Sequence, residues 1–151
     1  MSRPLFAALS FALVACGPPS RLNGTIRDRA SLQFTEVRAQ FLVDQLSIRY
    51  LDTRGAVQEP VRLTIPSALA VDGATVPLPG RGVLVEHFVV KENEQGVLAP
   101  EPPFPPVQEG ELVLDEVNIT QGMLIEGEFH LVFAGSLDTL NGDFAARVTL
   151  P

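Results

Sequence analysis

Apolar side chains recur at every second position along most of this chain, and that spacing restricts its fold more than any other feature. Val37, Ala39, Phe41 and Val43 alternate with Arg38, Gln40 and Leu42. Leu46, Ile48 and Tyr50 alternate with Ser47 and Arg49, and Val61, Leu63 and Ile65 with Arg62 and Thr64. Leu112 and Leu114 fall between Glu111, Val113 and Asp115. Met123, Ile125, Phe129, Leu131 and Phe133 share one face across Gly127, and Leu140, Phe144, Ala146, Val148 and Leu150 do so across Gly142. A strand turns successive side chains to opposite faces, so this is the text of half-buried antiparallel strands. Turn signals divide the runs at Asp52-Thr53-Arg54-Gly55, Gly80-Arg81-Gly82, Glu92-Asn93-Glu94-Gln95-Gly96 and Gly135-Ser136. The expectation is an all-β body: an antiparallel β-sandwich or partly closed barrel of about seven to nine strands.

Some segments refine this. Residues 82–91 (GVLVEHFVVK) are apolar on both faces apart from Glu86 and His87, which predicts a central strand. Ser31 to Asp44 could form an amphipathic helix through Phe34, Val37, Phe41 and Leu42, but the alternation from Val37 to Val43 favours strand. Residues 99–110 carry five prolines between positions 100 and 106. Such text cannot join a ladder; it predicts a stiff crossover with Phe104 turned down to plug one end of the core. Pro66, Pro77 and Pro79 predict an irregular connection over 66–82. Leu22-Asn23-Gly24-Thr25-Ile26 is echoed by Leu140-Asn141-Gly142-Asp143-Phe144 and, more loosely, by Ile125-Glu126-Gly127-Glu128-Phe129. The simpler reading is three strands bent at the same kind of glycine corner, not a repeated ligand loop. Pairing of the first strand with the last would bring the two ends of the domain together.

Composition excludes several classes. With 46 % hydrophobic and 19 % charged residues, the chain is too apolar for a disordered protein. A net charge of −7 argues against nucleic acid as a partner. One cysteine, Cys16, forbids a disulfide within the chain.

That cysteine follows an address. Arg3 supplies a positive start, and Leu5 to Ala15 (LFAALSFALVA) is an apolar run of about eleven residues, against the roughly twenty needed to span a bilayer. The run ends in Leu13-Val14-Ala15-Cys16. These four residues resemble the lipobox of bacterial lipoprotein precursors: Leu, a small or aliphatic residue, Ala or Gly, then Cys. The resemblance covers residues 1–17. It implies that the Cys16 thiol takes a diacylglycerol, that cleavage falls between Ala15 and Cys16, and that the new amino group is acylated. It also implies, through Gly17 in place of a retention Asp, the outer membrane as destination. The lone cysteine of the chain sits where a lipoprotein needs it, and a free thiol in a secreted protein would be a liability.

The expected organisation is a signal peptide over 1–15, a lipidated Cys and short Pro-rich tether over 16–21, and a single β-domain over 22–151. Gly17-Pro18-Pro19-Ser20-Arg21 is stiff and short, about 17 Å at most, so the body should sit close to the headgroups. Removing Arg3 from the 11 basic residues leaves 10 against 18 acidic ones, a net charge of −8. The lipid, not the charge, must do the holding.

Catalytic text is sparse. GxSxG, HExxH, P-loop, GxGxxG and EF-hand patterns are absent, and Ser136 after Gly135 lacks an elbow. Glu126, Glu128 and His130 share one face of a strand, a spacing that can hold a metal but reads more simply as a solvated outer face. Glu86 and His87 point to opposite faces and form no single site, so His87 reads as buried by packing or resting at a sheet edge. Asp115, Glu116 and Asn118 have a common spacing that does not single out calcium. No catalytic residue, metal or cofactor is assigned. The expected function is a non-enzymatic, membrane-anchored envelope lipoprotein whose β-domain contacts a protein or cell-wall partner. The alternative is a carrier of a small apolar ligand in a sandwich or barrel cavity.

Overall fold

The computed structural model describes residues 20–151, so Ala15, Cys16 and the lipobox lie outside the described residues. The body is all-β, as the alternation requires. Eleven strands form in chain order: β1 (Arg21–Asn23), β2 (Glu36–Leu42), β3 (Gln45–Asp52), β4 (Gln58–Pro66), β5 (Ala74–Leu78), β6 (Leu84–Phe88), β7 (Val90–Glu92), β8 (Leu98–Pro100), β9 (Val107–Val117), β10 (Leu124–Phe133) and β11 (Thr139–Thr149). Single 3-10 turns at Thr25–Asp28 and Ser67–Leu69 are the helical parts of the described residues. No helix there is long and apolar enough to cross a membrane.

One curled sheet carries the fold, in the order β5-β9-β10-β11-β2-β3-β4-β6, with β1 beside β11 and a separate β7–β8 ribbon. The result is a half-barrel. Its turning point is β11. One edge of β11 pairs with β10 along nearly its whole length. The other edge is shared: Asn141 to Asp143 pair with β1, and Val148 and Thr149 pair with Ala39 and Gln40 of β2. The β11–β2 pairing is parallel, the exception to an otherwise antiparallel sheet. Ser31 to Asp44 contains strand, not helix.

The inner faces meet in one core in which Leu46, Ile48, Val61, Leu63, Leu131 and Leu140 are fully buried. Tyr50 reaches across it. Its hydroxyl donates to the Asp143 carbonyl at 2.6 Å, and its ring stands edge-on to Phe34 (5.1 Å) and Phe129 (6.2 Å). Burial first, and then the nearby Asp143 charge, pushes the Tyr50 phenol above its ordinary value. A single side chain thus ties β3 to β11 from inside.

The two glycines in the echoed segments serve packing. Gly127 stands opposite Phe144 and Gly142 opposite Phe129 on paired strands. A Cβ on Gly142 would sit 2.5 Å from the Phe129 ring, and one on Gly127 would sit 2.6 Å from the Phe144 ring. Each phenyl lies over the other strand's glycine, where only a hydrogen fits.

Other expectations are corrected. Residues 82–91 do not form a central strand. β6 ends the sheet, and its outward residues Leu84 and Phe88 are exposed, as is Val90 on the ribbon. Two-faced apolarity here serves a surface cleft, not burial on both sides. The 66–82 connection contains β5, which admits Pro77 because an edge strand needs no N–H on its outer side. The Pro-rich stretch joins ladders at both ends, through Leu98–Pro100 and from Val107 onward, leaving only 101–106 irregular. Phe104 does turn down onto the core, 5.3 Å from Phe133. Arg21, read as tether, is the first residue of β1. Val43, Met123 and Leu150 keep the alternation but fall just past their strand ends, where all three are exposed.

Candidate functional site

The half-barrel has two ends. The end where β2, β9 and β11 finish and β3 and β10 begin is the proximal pole, because the N-terminal end of β1 points toward it. The opposite, distal pole holds the β3–β4 turn, the β7–β8 ribbon, the β10–β11 turn and residues 101–106.

At the distal pole a buried polar cluster closes the barrel. The β4–β6 register slips between Glu59 and Arg62, and Pro60 lies within that slip. Its carbonyl faces Nδ1 of His87 at 2.8 Å, while Nε2 faces Oε2 of Glu101 at 2.7 Å. The His87 side chain is fully buried and stacks on Phe104 at 4.8 Å. Glu101 also pairs with Lys91 and accepts the Ser31 N–H at 3.0 Å. Burial alone pushes the Glu101 carboxyl up. The hydrogen bonds from Lys91, Ser31 and His87 outweigh it, leaving Glu101 below the usual carboxylate value. A carbonyl can only accept, so Nδ1 carries a proton. Both ring nitrogens are engaged by partners within the protein. The cluster is a tie that binds the crossover segment to β6, β7 and the β1–β2 connection.

Beside it lies an open cleft of about 510 Å³. Val57, Phe88, Val90 and Leu98 line it and are exposed, with His87 and Glu101 at its floor. The Arg62 guanidinium lies 4.6 Å over the Phe88 ring and pairs with Glu59, which also binds Arg49. These contacts hold Phe88 at the surface.

The sequence candidates fall elsewhere. Glu126, Glu128 and His130 project from the outer face of β10, the last two exposed. His130 Nδ1 meets Asn141 Oδ1, and Asn141 Nδ2 donates to Asn23 Oδ1 at 3.2 Å, so the imidazole binds an amide on β11 that in turn binds one on β1. Glu128 stands opposite Asp143. Among the described residues no group of three His, Cys, Asp or Glu side chains is placed to hold a metal. Adjacent Asp115 and Glu116 are not drawn together with Asn118, whose Oδ1 caps the Thr120 N–H at 3.2 Å. Ser136 Oγ accepts the Asp138 N–H at 3.3 Å inside a turn. Glu86 and His87 do point to opposite faces: Glu86 stands beside Arg62 on β4, and His87 lies inside.

Residue reasoning missed Glu101 and Lys91. The available signal was Glu101 itself, the one charged side chain in APEPPFPP. The chain was compared with protein-family models, curated proteins and solved structures, and matches none of them.

Proposed function

We propose that this protein is a non-enzymatic lipoprotein of the bacterial cell envelope, anchored through lipid on Cys16 and presenting its β-domain to a protein partner. The observation that carries the reading is Leu13-Val14-Ala15-Cys16 at the end of a short apolar run behind Arg3, with Cys16 the only thiol in the chain. Two or more acyl chains supply firm anchorage where one is marginal, at about 0.8 kcal/mol per buried CH₂. The outer membrane is the proposed destination, on the strength of Gly17.

The distal cleft supports a protein partner over a carried ligand. Val57, Phe88, Val90 and Leu98 stand exposed there, while the space between the inner faces is filled by Tyr50, Phe129, Phe133 and their aliphatic neighbours. Exposed apolar side chains that cluster on a rigid rim are a common mark of protein contact.

The test is purification from the producing cell. The N-terminal peptide should carry the mass of an acylated cysteine, and a photo-crosslinker at Leu98 should recover one reproducible protein that a crosslinker at the proximal Val43 does not. An unmodified thiol would overturn the anchor. Equal, diffuse crosslinking from both positions would overturn the partner.

A further inference from the structure

We infer that the proximal pole is a membrane-contact surface, with Val43, Val71, Met123 and Leu150 seated among the lipid headgroups. The inference rests on the lipid anchor proposed above and adds to it the orientation of the body.

Topology brings the four side chains to one end. Thr149 pairs with Gln40, so Leu150 and Val43 both lie just beyond that level on parallel strands. The Val148 N–H bonds the Met123 carbonyl and the Leu150 N–H bonds Gln121 Oε1, placing the β9–β10 turn beside the end of β11. Asp44 accepts the Ser67 N–H, and Asp72 Oδ1 accepts the Val117 N–H, drawing the Leu69–Gly73 connection to the same end. There Val43 is 95 % exposed, Val71 55 %, Met123 43 % and Leu150 42 %. They come from three different connections and the segment after β11, and three of them are the residues whose alternation overshoots the sheet.

The reach of the chain supplies the occupant. Ser20 is pinned alongside β11, its Oγ accepting the Ala145 N–H at 3.0 Å. β1 runs antiparallel to β11, so its N-terminal end, from Arg21 back to Ser20, points toward the proximal pole. Cys16 stands four residues earlier, a maximum reach of about 14 Å. Along β11, Leu150 lies about 16 Å from Ala145, whereas Asp138 at the distal turn lies about 23 Å away in the other direction. An extended tether brings Cys16 nearly level with the proximal tip and cannot bring it to the distal one. A lipid at Cys16 therefore draws the pole onto the bilayer surface with little slack. Apolar side chains at such a surface settle about 5–10 Å into the headgroup boundary.

The chain contains no tryptophan, so a single introduced Trp is an unambiguous depth probe. Val43→Trp, Val71→Trp and Leu150→Trp report on the pole, and Leu137→Trp, at a distal position 64 % exposed, is the control. The chain from Cys16 onward is coupled through its thiol to a maleimide lipid in phosphatidylethanolamine–phosphatidylglycerol vesicles whose acyl chains carry bromine. Emission from the pole variants should shift to the blue and lose roughly half its intensity, while the Leu137→Trp control stays water-like, since Trp favours the interface. Equal quenching of pole and control variants, or none, overturns the inference and leaves the lipoprotein reading standing. An unacylated Cys16 in the producing cell overturns both.

Discussion

Glu101 is the residue on which three connections converge: His87 on β6, Lys91 on β7 and the Ser31 N–H before β2 all meet its carboxylate. Because its value in the folded protein is depressed below the ordinary 4.5, its contribution to stability is fully present above that pH. It is lost as pH falls through Glu101's own lower value. Urea midpoints measured across the acid range should therefore fall for the native chain and fall less steeply for Glu101→Gln, which has no proton to take up. Identical slopes would show that the carboxylate bears no net charge interaction. Asp52, held down to about 2 by its hydrogen bonds to the exposed Arg54, is unchanged by the substitution and leaves a common acid limb in both proteins. Before the fold is known, Glu101 is one carboxylate among 18 acidic residues. Its partners come from positions 10 to 70 residues away, and no local pattern could have joined them.

β10 and β11 are the elements whose sequence was most readable and whose packing was least so. Alternation placed Ile125, Phe129, Leu131 and Phe133 on the inner face of β10, and all are buried. The register that sets Phe129 over Gly142 and Phe144 over Gly127 is a property of the pair. Gly142→Ala should lower the unfolding free energy by about 1–3 kcal/mol, read by urea denaturation, because its methyl would collide with a ring locked in the core. Phe129→Leu made alongside it should recover part of that loss, since the two substitutions act on one contact. Strict additivity would count against the proposed clash. β6 shows the converse limit. Its two-faced apolar text is that of a central strand, yet it closes the sheet at an edge and gives Phe88 to the cleft. Periodicity registers that a side chain avoids water, without distinguishing burial by the protein itself from burial by something that docks on it.

The described body is a half-barrel with different chemistry at its two poles, and its proposed orientation depends on a tether too short to let it turn. A Gly/Ser spacer of about ten residues inserted after Gly17 would add a root-mean-square length of about 17 Å. In the vesicle system, the spacer should return the Val43→Trp emission toward the water-like value while the protein stays vesicle-bound on flotation. Unchanged quenching would mean that apolar contact, and not the short tether, holds the pole down.

The all-β class, the inward rows of most strands and the plugging Phe104 all follow from sequence alone, and the proposed anchor rests on sequence alone. Each is a local matter: alternation at period two, a φ fixed by a proline ring, four residues recognised in a row. Tertiary structure alone decided that β11 serves two neighbours on one edge, that β6 lies outermost, and that His87, Glu101 and Lys91 form one cluster. It also decided that Val43, Val71, Met123 and Leu150 gather at the pole toward which the N-terminal end of β1 points. These are relations between residues far apart in the chain, set by which strand edges pair once the core has closed, and a one-dimensional pattern carries no record of that choice.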